Sequence, residues 1–149
     1  MKTFLSPHAL LATVDEILAA SPAFHRSPLH EVIEVLCRGR HYNWMGIYLV
    51  VNQAAPSKLL DAARDRHPAV VALPETRTKI LITIKLVGRE IGILDVESDH
   101  ENAFGPEDRV LLEGVAHRLA LFLTGPGKYL VRKAREKQTP VQPRLSAAA

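Results

Sequence analysis

The chain has 149 residues, 47% of them hydrophobic and 23% charged. That is ordinary usage for about one globular domain, and it excludes a mainly disordered chain, a collagen and a coiled-coil rod. The net charge of +3 is unevenly spread, because Lys128, Arg132, Lys133, Arg135, Lys137 and Arg144 face only Glu136 in the last 22 residues, a net +5 that leaves −2 on the rest.

Ser6-Pro7 opens the first predicted helix, with serine as N-cap and proline at the first helical position. Leu10, Leu11, Val14, Ile17 and Leu18 follow at helical spacing up to Ser21-Pro22. Ser27-Pro28 repeats the start signal, and Leu29, Val32, Ile33, Leu36 and Cys37 form the stripe of a second helix ending near Gly39. Cys37, lying in that stripe, reads as a small core residue. It is the only cysteine, which excludes an internal disulfide framework and a multi-cysteine zinc site and fits a cytoplasmic protein.

The period then changes. Tyr42 to Val51 reads as a strand, with Trp44, Gly46, Tyr48 and Val50 on one face and Met45, Ile47, Leu49 and Val51 on the other. Asn52 to Ser57 is a loop, and Leu59 to Ala63 fits either a short strand or a helical turn. Pro68 to Pro74 reads as a short edge strand between prolines. Lys79 to Val96 is the clearest hairpin, with Gly88-Arg89 as a glycine-first two-residue turn. Its second strand places Ile91, Ile93, Asp95 and Glu97 on one face, and Gly92, Leu94 and Val96 on the other. A loop over Ser98–Gly105 precedes the closing helix, which starts at Pro106 with Glu107 and Asp108 against its N-terminal dipole and carries Leu111, Val115, Leu119 and Phe122 as its buried stripe. Gly125-Pro126-Gly127 ends it. The order of elements predicts an α+β domain, one antiparallel β-sheet with helices packed on one face.

The first residues lack the long apolar stretch of a secretory signal, and no apolar run approaches the roughly 20 residues of a membrane span. Seven dispersed histidines form no His-x-x-x-His pair in one helix, so no metal site is expected. Gly-x-Ser-x-Gly, Gly-x-x-x-x-Gly-Lys and Gly-x-Gly-x-x-Gly patterns are all missing from the sequence, and neither a catalytic residue nor a cofactor is expected. The basic tail carries only Tyr129 as an aromatic, so nucleic acid is not an expected partner, nor is a membrane.

Three stretches together resemble a GAF domain: Asn43-Trp-Met-Gly-Ile-Tyr-Leu49, Lys85-Leu-Val-Gly-Arg-Glu-Ile-Gly-Ile-Leu-Asp-Val-Glu-Ser98 and Phe104-Gly-Pro-Glu-Asp-Arg-Val-Leu-Leu112. The likeness spans Pro7 to Thr124. It implies a sheet of about five or six strands, helices on one face and a small-molecule pocket over the other. The chain then divides into a lead of residues 1–6, a single minimal GAF-like domain over 7–125 and a basic tail over 126–149 that is expected to be disordered.

Within that fold the sequence is most similar to the free methionine-(R)-sulfoxide reductase branch. The resemblance implies that Trp44 and Tyr48 wall a pocket and that Asp95 and Glu97 hold the polar end of a ligand. A buried Asp95 needs a cation, which Lys79, Arg77 or Lys85 can supply. Two departures remove the chemistry of that branch. The connection from Asn52 to Arg77, 26 residues, is shorter than the family's and holds no cysteine. Lys79 stands where the family has a substrate-holding glutamate, a charge reversal. The expected function is a non-catalytic sensory or regulatory module with Trp44, Tyr48, Lys79, Asp95 and Glu97 as ligand-binding residues. Its partners would be an unknown small molecule, a signalling protein and a second copy of itself, since Leu5, Leu10, Leu112, Leu121 and Leu123 give the terminal helices extra apolar surface. A reductase-like enzyme with another thiol and a purely structural dimer with a filled pocket are the alternatives.

Overall fold

The computed structural model describes residues 4–20, 27–50, 58–64 and 78–138. Helix α1 spans Pro7–Ala19 and α2 spans Pro28–Gly39. Both begin as their Ser-Pro pairs dictate. Ser6 Oγ accepts from the Ala9 N–H at 3.2 Å, and Ser27 Oγ accepts from the Leu29 N–H at 3.2 Å. Strands β1 (Trp44–Leu49), β2 (Lys58–Arg64), β3 (Thr78–Leu86) and β4 (Arg89–Ser98) follow, then α3 (Pro106–Leu123) and α4 (Lys128–Gln138). The stretch Leu59–Ala63 is therefore strand rather than turn, while the strand expected over Pro68–Pro74 lies outside the described residues.

The strands form one antiparallel sheet in the order β2-β1-β4-β3. Strand β4 sits between β1 and β3 and carries the register: Val96 lies between Met45 and Ile80, and Leu94 between Ile47 and Ile82. These side chains line the helix face, where they meet Leu29, Val32, Ile33 and Leu36 of α2 and Leu111, Leu112, Val115 and Leu119 of α3 in one buried cluster. Helix α1 packs chiefly on α2 and α3. Cys37 is part of that core, as its place in the stripe predicts.

Three expectations are corrected. The hairpin turns on Val87-Gly88, not Gly88-Arg89: Leu86 pairs with Arg89, and both turn residues have positive φ, 45° and 76°. That is the two-residue turn whose twist matches the strands, with glycine at its second position. Next, Lys85 pairs with Glu90 while Ile84 pairs with Gly92, so Ile91 is an extra residue in β4. This bulge turns Ile91 into the core cluster, away from the face of Ile93, Asp95 and Glu97 on which alternation alone placed it. Finally, the tail is not disordered over Lys128–Gln138, which is helix α4. Leu130, Val131 and Ala134 pack against the core, and the helix contacts α3 and β2. The segment is rich in good helix formers, and at 11 residues it still relies on this packing for its stability.

Candidate functional site

The sheet face opposite the helices is built in rungs. Trp44, Glu97 and Lys79 form one, Gly46, Asp95 and Leu81 the next, Tyr48, Ile93 and Thr83 the third. All five residues that the sequence marks as ligand-binding therefore share this face. Lys79, Asp95 and Glu97 are brought into direct contact. Lys79 Nζ stands 3.5 Å from Asp95 Oδ2 and 3.8 Å from Glu97 Oε2. Of the three candidate cations for Asp95, the structure selects Lys79. Lys85 lies at the far end of β3, and Arg77 is outside the described residues.

Trp44 is buried but does not belong to the helix-side core cluster. Its indole lies along β1 over Gly46, where an added Cβ would stand 2.3 Å from indole Cη2. Glycine at this position is what lets the ring lie flat beside the Asp95 rung. Tyr48 is half-buried two residues further along. Its phenol is pushed above its ordinary pKa, first by burial and then by the charges of Asp95 and Glu97.

Asp95 and Glu97 are 5% and 2% exposed, so two buried carboxyls share the half-exposed Lys79. Burial drives the Asp95 pKa up to about 6; Lys79 opposes this and Glu97 adds to it. Oδ1 of Asp95 is buried and has no hydrogen-bond partner. A buried acceptor left unpaired is costly, and such groups call for an explanation. Oδ1 is thus an unsatisfied acceptor, next to the rung on which the buried Trp44 indole lies. Leu81 lies directly across from Asp95 and is 59% exposed. It is an apolar neighbour that the sequence did not single out, and only the register reveals it.

The third motif of the sequence has a different role. Asp108 is buried beneath the start of α3 and accepts from Tyr42 Oη at 2.7 Å and from Arg40 Nη2 at 2.7 Å and Nε at 3.2 Å. Its other oxygen accepts from the Gly105 N–H at 3.3 Å. Arg40 also donates to Glu107 Oε1 and to the Leu5 carbonyl. The motif from Phe104 to Leu112 is thus a clamp tying α3 to the chain entering β1 and to the lead before α1. Cys37 is no part of the site, because it lies in the helix-side core with the sheet between it and Asp95. Among the described residues no group of three or more His, Cys, Asp and Glu side chains is placed to hold a metal ion, and no helix is long and apolar enough to cross a membrane.

No protein-family model matches the sequence, and no curated protein does. Solved structures do match in shape. The free methionine-R-sulfoxide reductase from Neisseria meningitidis, solved with its substrate, superposes with a TM-score of 0.67 at 18% identity, over 83% of this chain and 96% of that one. The GAF domain from a phosphoenolpyruvate-protein phosphotransferase of Coxiella burnetii gives 0.65 at 16% identity, over 89% and 96%. The type II free methionine-R-sulfoxide reductase from Thermoplasma acidophilum gives 0.57 at 19%, over 76% and 94%. The fold is therefore a GAF-like α+β fold, and its neighbours include both an enzyme class and a GAF domain.

Proposed function

We propose that this chain is a non-catalytic GAF-type regulatory module that binds a small molecule on the Trp44, Tyr48, Lys79, Asp95 and Glu97 face and works in the cytoplasm. The observation that carries the reading is Asp95 Oδ1, buried, unpartnered and beside an aromatic wall. A ligand donor reaching Oδ1 removes a standing desolvation cost, while half-buried Tyr48 and exposed Leu81 offer its apolar part a surface. The absence of a cysteine from 52–77 and the seclusion of Cys37 count against sulfoxide reduction.

A second copy is part of the proposal. Leu10, Leu112 and Leu123 are covered within one subunit, but Leu5, Val110 and Leu121 are 48–61% exposed on or beside α1 and α3. Sedimentation at several concentrations distinguishes dimer from monomer. The ligand reading is tested by thermal melts of the full chain across a metabolite panel. A ligand at 100 times its Kd adds about 2.7 kcal/mol to the wild type, and Asp95→Asn weakens the effect. A panel with no hit, or hits indifferent to Asp95→Asn and Trp44→Ala, overturns this reading in favour of a purely structural module.

A further inference from the structure

The basic cluster that dominates the charge of the sequence plays no part in the Asp95 face. Helix α4 instead brings two of its members to a groove on the helix side of the sheet. The groove has a volume of about 320 Å³. Its floor is apolar, made by Leu49, Ile91, Leu123 and Val131. Its rim carries Arg89 from the hairpin and Lys128 and Arg132 from α4, all exposed, with Glu90 as the one acid.

We propose that this groove binds a small amphipathic anion, a carboxylate or phosphate head on a short apolar body. Three observations support the choice. None of the three rim cations has an ion-pair partner among the described residues. The adjoining stretches of sequence bring little counter-charge: 51–57 is uncharged, 139–149 contains Arg144 and no acid, and Glu136 in α4 is outnumbered by Lys133, Arg135 and Lys137 beside it. Lys128 is the first residue of α4, and that helix has no acid in its first turn, so the positive end of its dipole adds to the same side. With Glu90 on the rim and Glu136 one helical turn beyond Arg132, the cluster keeps a net positive charge that an anion from outside the chain can balance.

The shape sets the size of the ligand. A space of about 320 Å³ takes on the order of ten water-sized groups, at roughly 30 Å³ each. An extended polyanion needs a flat basic stripe with stacking aromatics, whereas here the cations ring an apolar hollow and the nearby aromatics are withdrawn, Phe122 buried and Tyr129 half-buried. The bulge at Ile91 also gains a consequence. By turning Ile91 inward it supplies part of the floor while leaving Arg89 at the rim.

The experiment is an NMR titration of the full isotope-labelled chain with octanoate and octyl phosphate, with octanol and octylammonium as controls. Octanoate and octyl phosphate are expected to shift the amides of Val50, Arg89–Ile91, Leu123, Thr124 and Lys128–Arg132, and to bind at least about tenfold more tightly than octanol, as charge-assisted pairing requires. The double variant Arg89→Glu/Arg132→Glu is expected to lose that preference with its dispersed spectrum intact, since both side chains are exposed, and Arg89→Lys/Arg132→Lys is expected to keep most of it. Equal binding of octanol, shifts confined to other residues, or full binding by the charge-reversed variant each overturn the proposal. Binding to phosphatidylglycerol vesicles without binding to either soluble anion overturns it too, and assigns the rim to a membrane headgroup.

Discussion

Asp95 and Asp108 are equally buried, each 5% exposed, yet their carboxyls are driven in opposite directions. Burial works to raise both. At Asp108 the hydrogen bonds from Tyr42 and Arg40, the Arg40 charge and the Gly105 N–H outweigh it and hold the pKa below the usual carboxylate value. At Asp95 burial wins and the pKa stands near 6, because one half-exposed lysine is shared with a second carboxyl and Oδ1 meets no donor. The same side chain at similar exposure is a satisfied structural joint in one place and an unsatisfied acceptor in the other. Donated hydrogen bonds and the Arg40 charge outweigh burial at Asp108, and at Asp95 they do not.

The largest expected effect tests the closed joint. Asp108→Ala leaves Arg40 buried without its main counter-ion and orphans Tyr42 Oη, at a cost of about 3–5 kcal/mol in urea unfolding. A loss below about 1 kcal/mol would mean that the clamp is an ordinary surface pair. The open group gives the opposite sign. With its folded pKa near 6 against an unfolded value near 4, Asp95 is protonated in the native state and ionised in the unfolded state between those limits. Its contribution to stability therefore falls as pH rises through that window. Asp95→Asn removes the penalty and is expected to stabilise the protein by about 2–3 kcal/mol at pH 8, with little gain at pH 4. A carbon-13 titration of the Asp95 carboxyl with a midpoint near 4 would refute this assignment.

The wall beside Asp95 supplies the third test. Gly46→Ala forces a methyl group into the Trp44 ring and should cost about 1–3 kcal/mol, as overpacking does. In a Trp44→Ala background the same change should cost much less. A double-mutant cycle with no coupling would show that the indole does not rest on Gly46.

What the sequence made legible follows from the range of the signals. Ser-Pro caps and strand alternation are local, and they place α1, α2, β1, β3 and β4 correctly. Trp44, Tyr48, Asp95 and Glu97 share a face because alternation survives from Ile93 onward. The bulge is invisible because Ile91 suits either face, and only the tertiary pairing of Lys85 with Glu90 decides it. The clamp is invisible because Arg40 and Asp108 lie 68 residues apart, so Asp108 shows in the sequence only as a helix-start acid. Helix α4 carries Leu130, Val131 and Ala134 at helical spacing among good helix formers, a local signal masked by the density of cations and by the Gly-Pro-Gly break before it.

The smallest effect is the most specific. Lys79 is 41% exposed, so its pairing with Asp95 and Glu97 is partly screened, and Lys79→Met should cost no more than about 1 kcal/mol at pH 8. The cost depends on pH in a way an ordinary surface pair does not share. Lys79 holds the Asp95 pKa down against burial and Glu97, so without it the carboxyl midpoint must move above 6. Near pH 5 Asp95 is already protonated in the wild type and has little left to lose. The stability difference between Lys79→Met and wild type should therefore shrink on going from pH 8 to pH 5, while the Asp95 titration shifts upward in the variant. A pH-independent difference with an unmoved Asp95 midpoint would show that Lys79 points to solvent and that the carboxyl pair is held by other groups. In that case Lys79 would drop out of the proposed ligand-binding set, and the unsatisfied acceptor on Asp95 would need a different account.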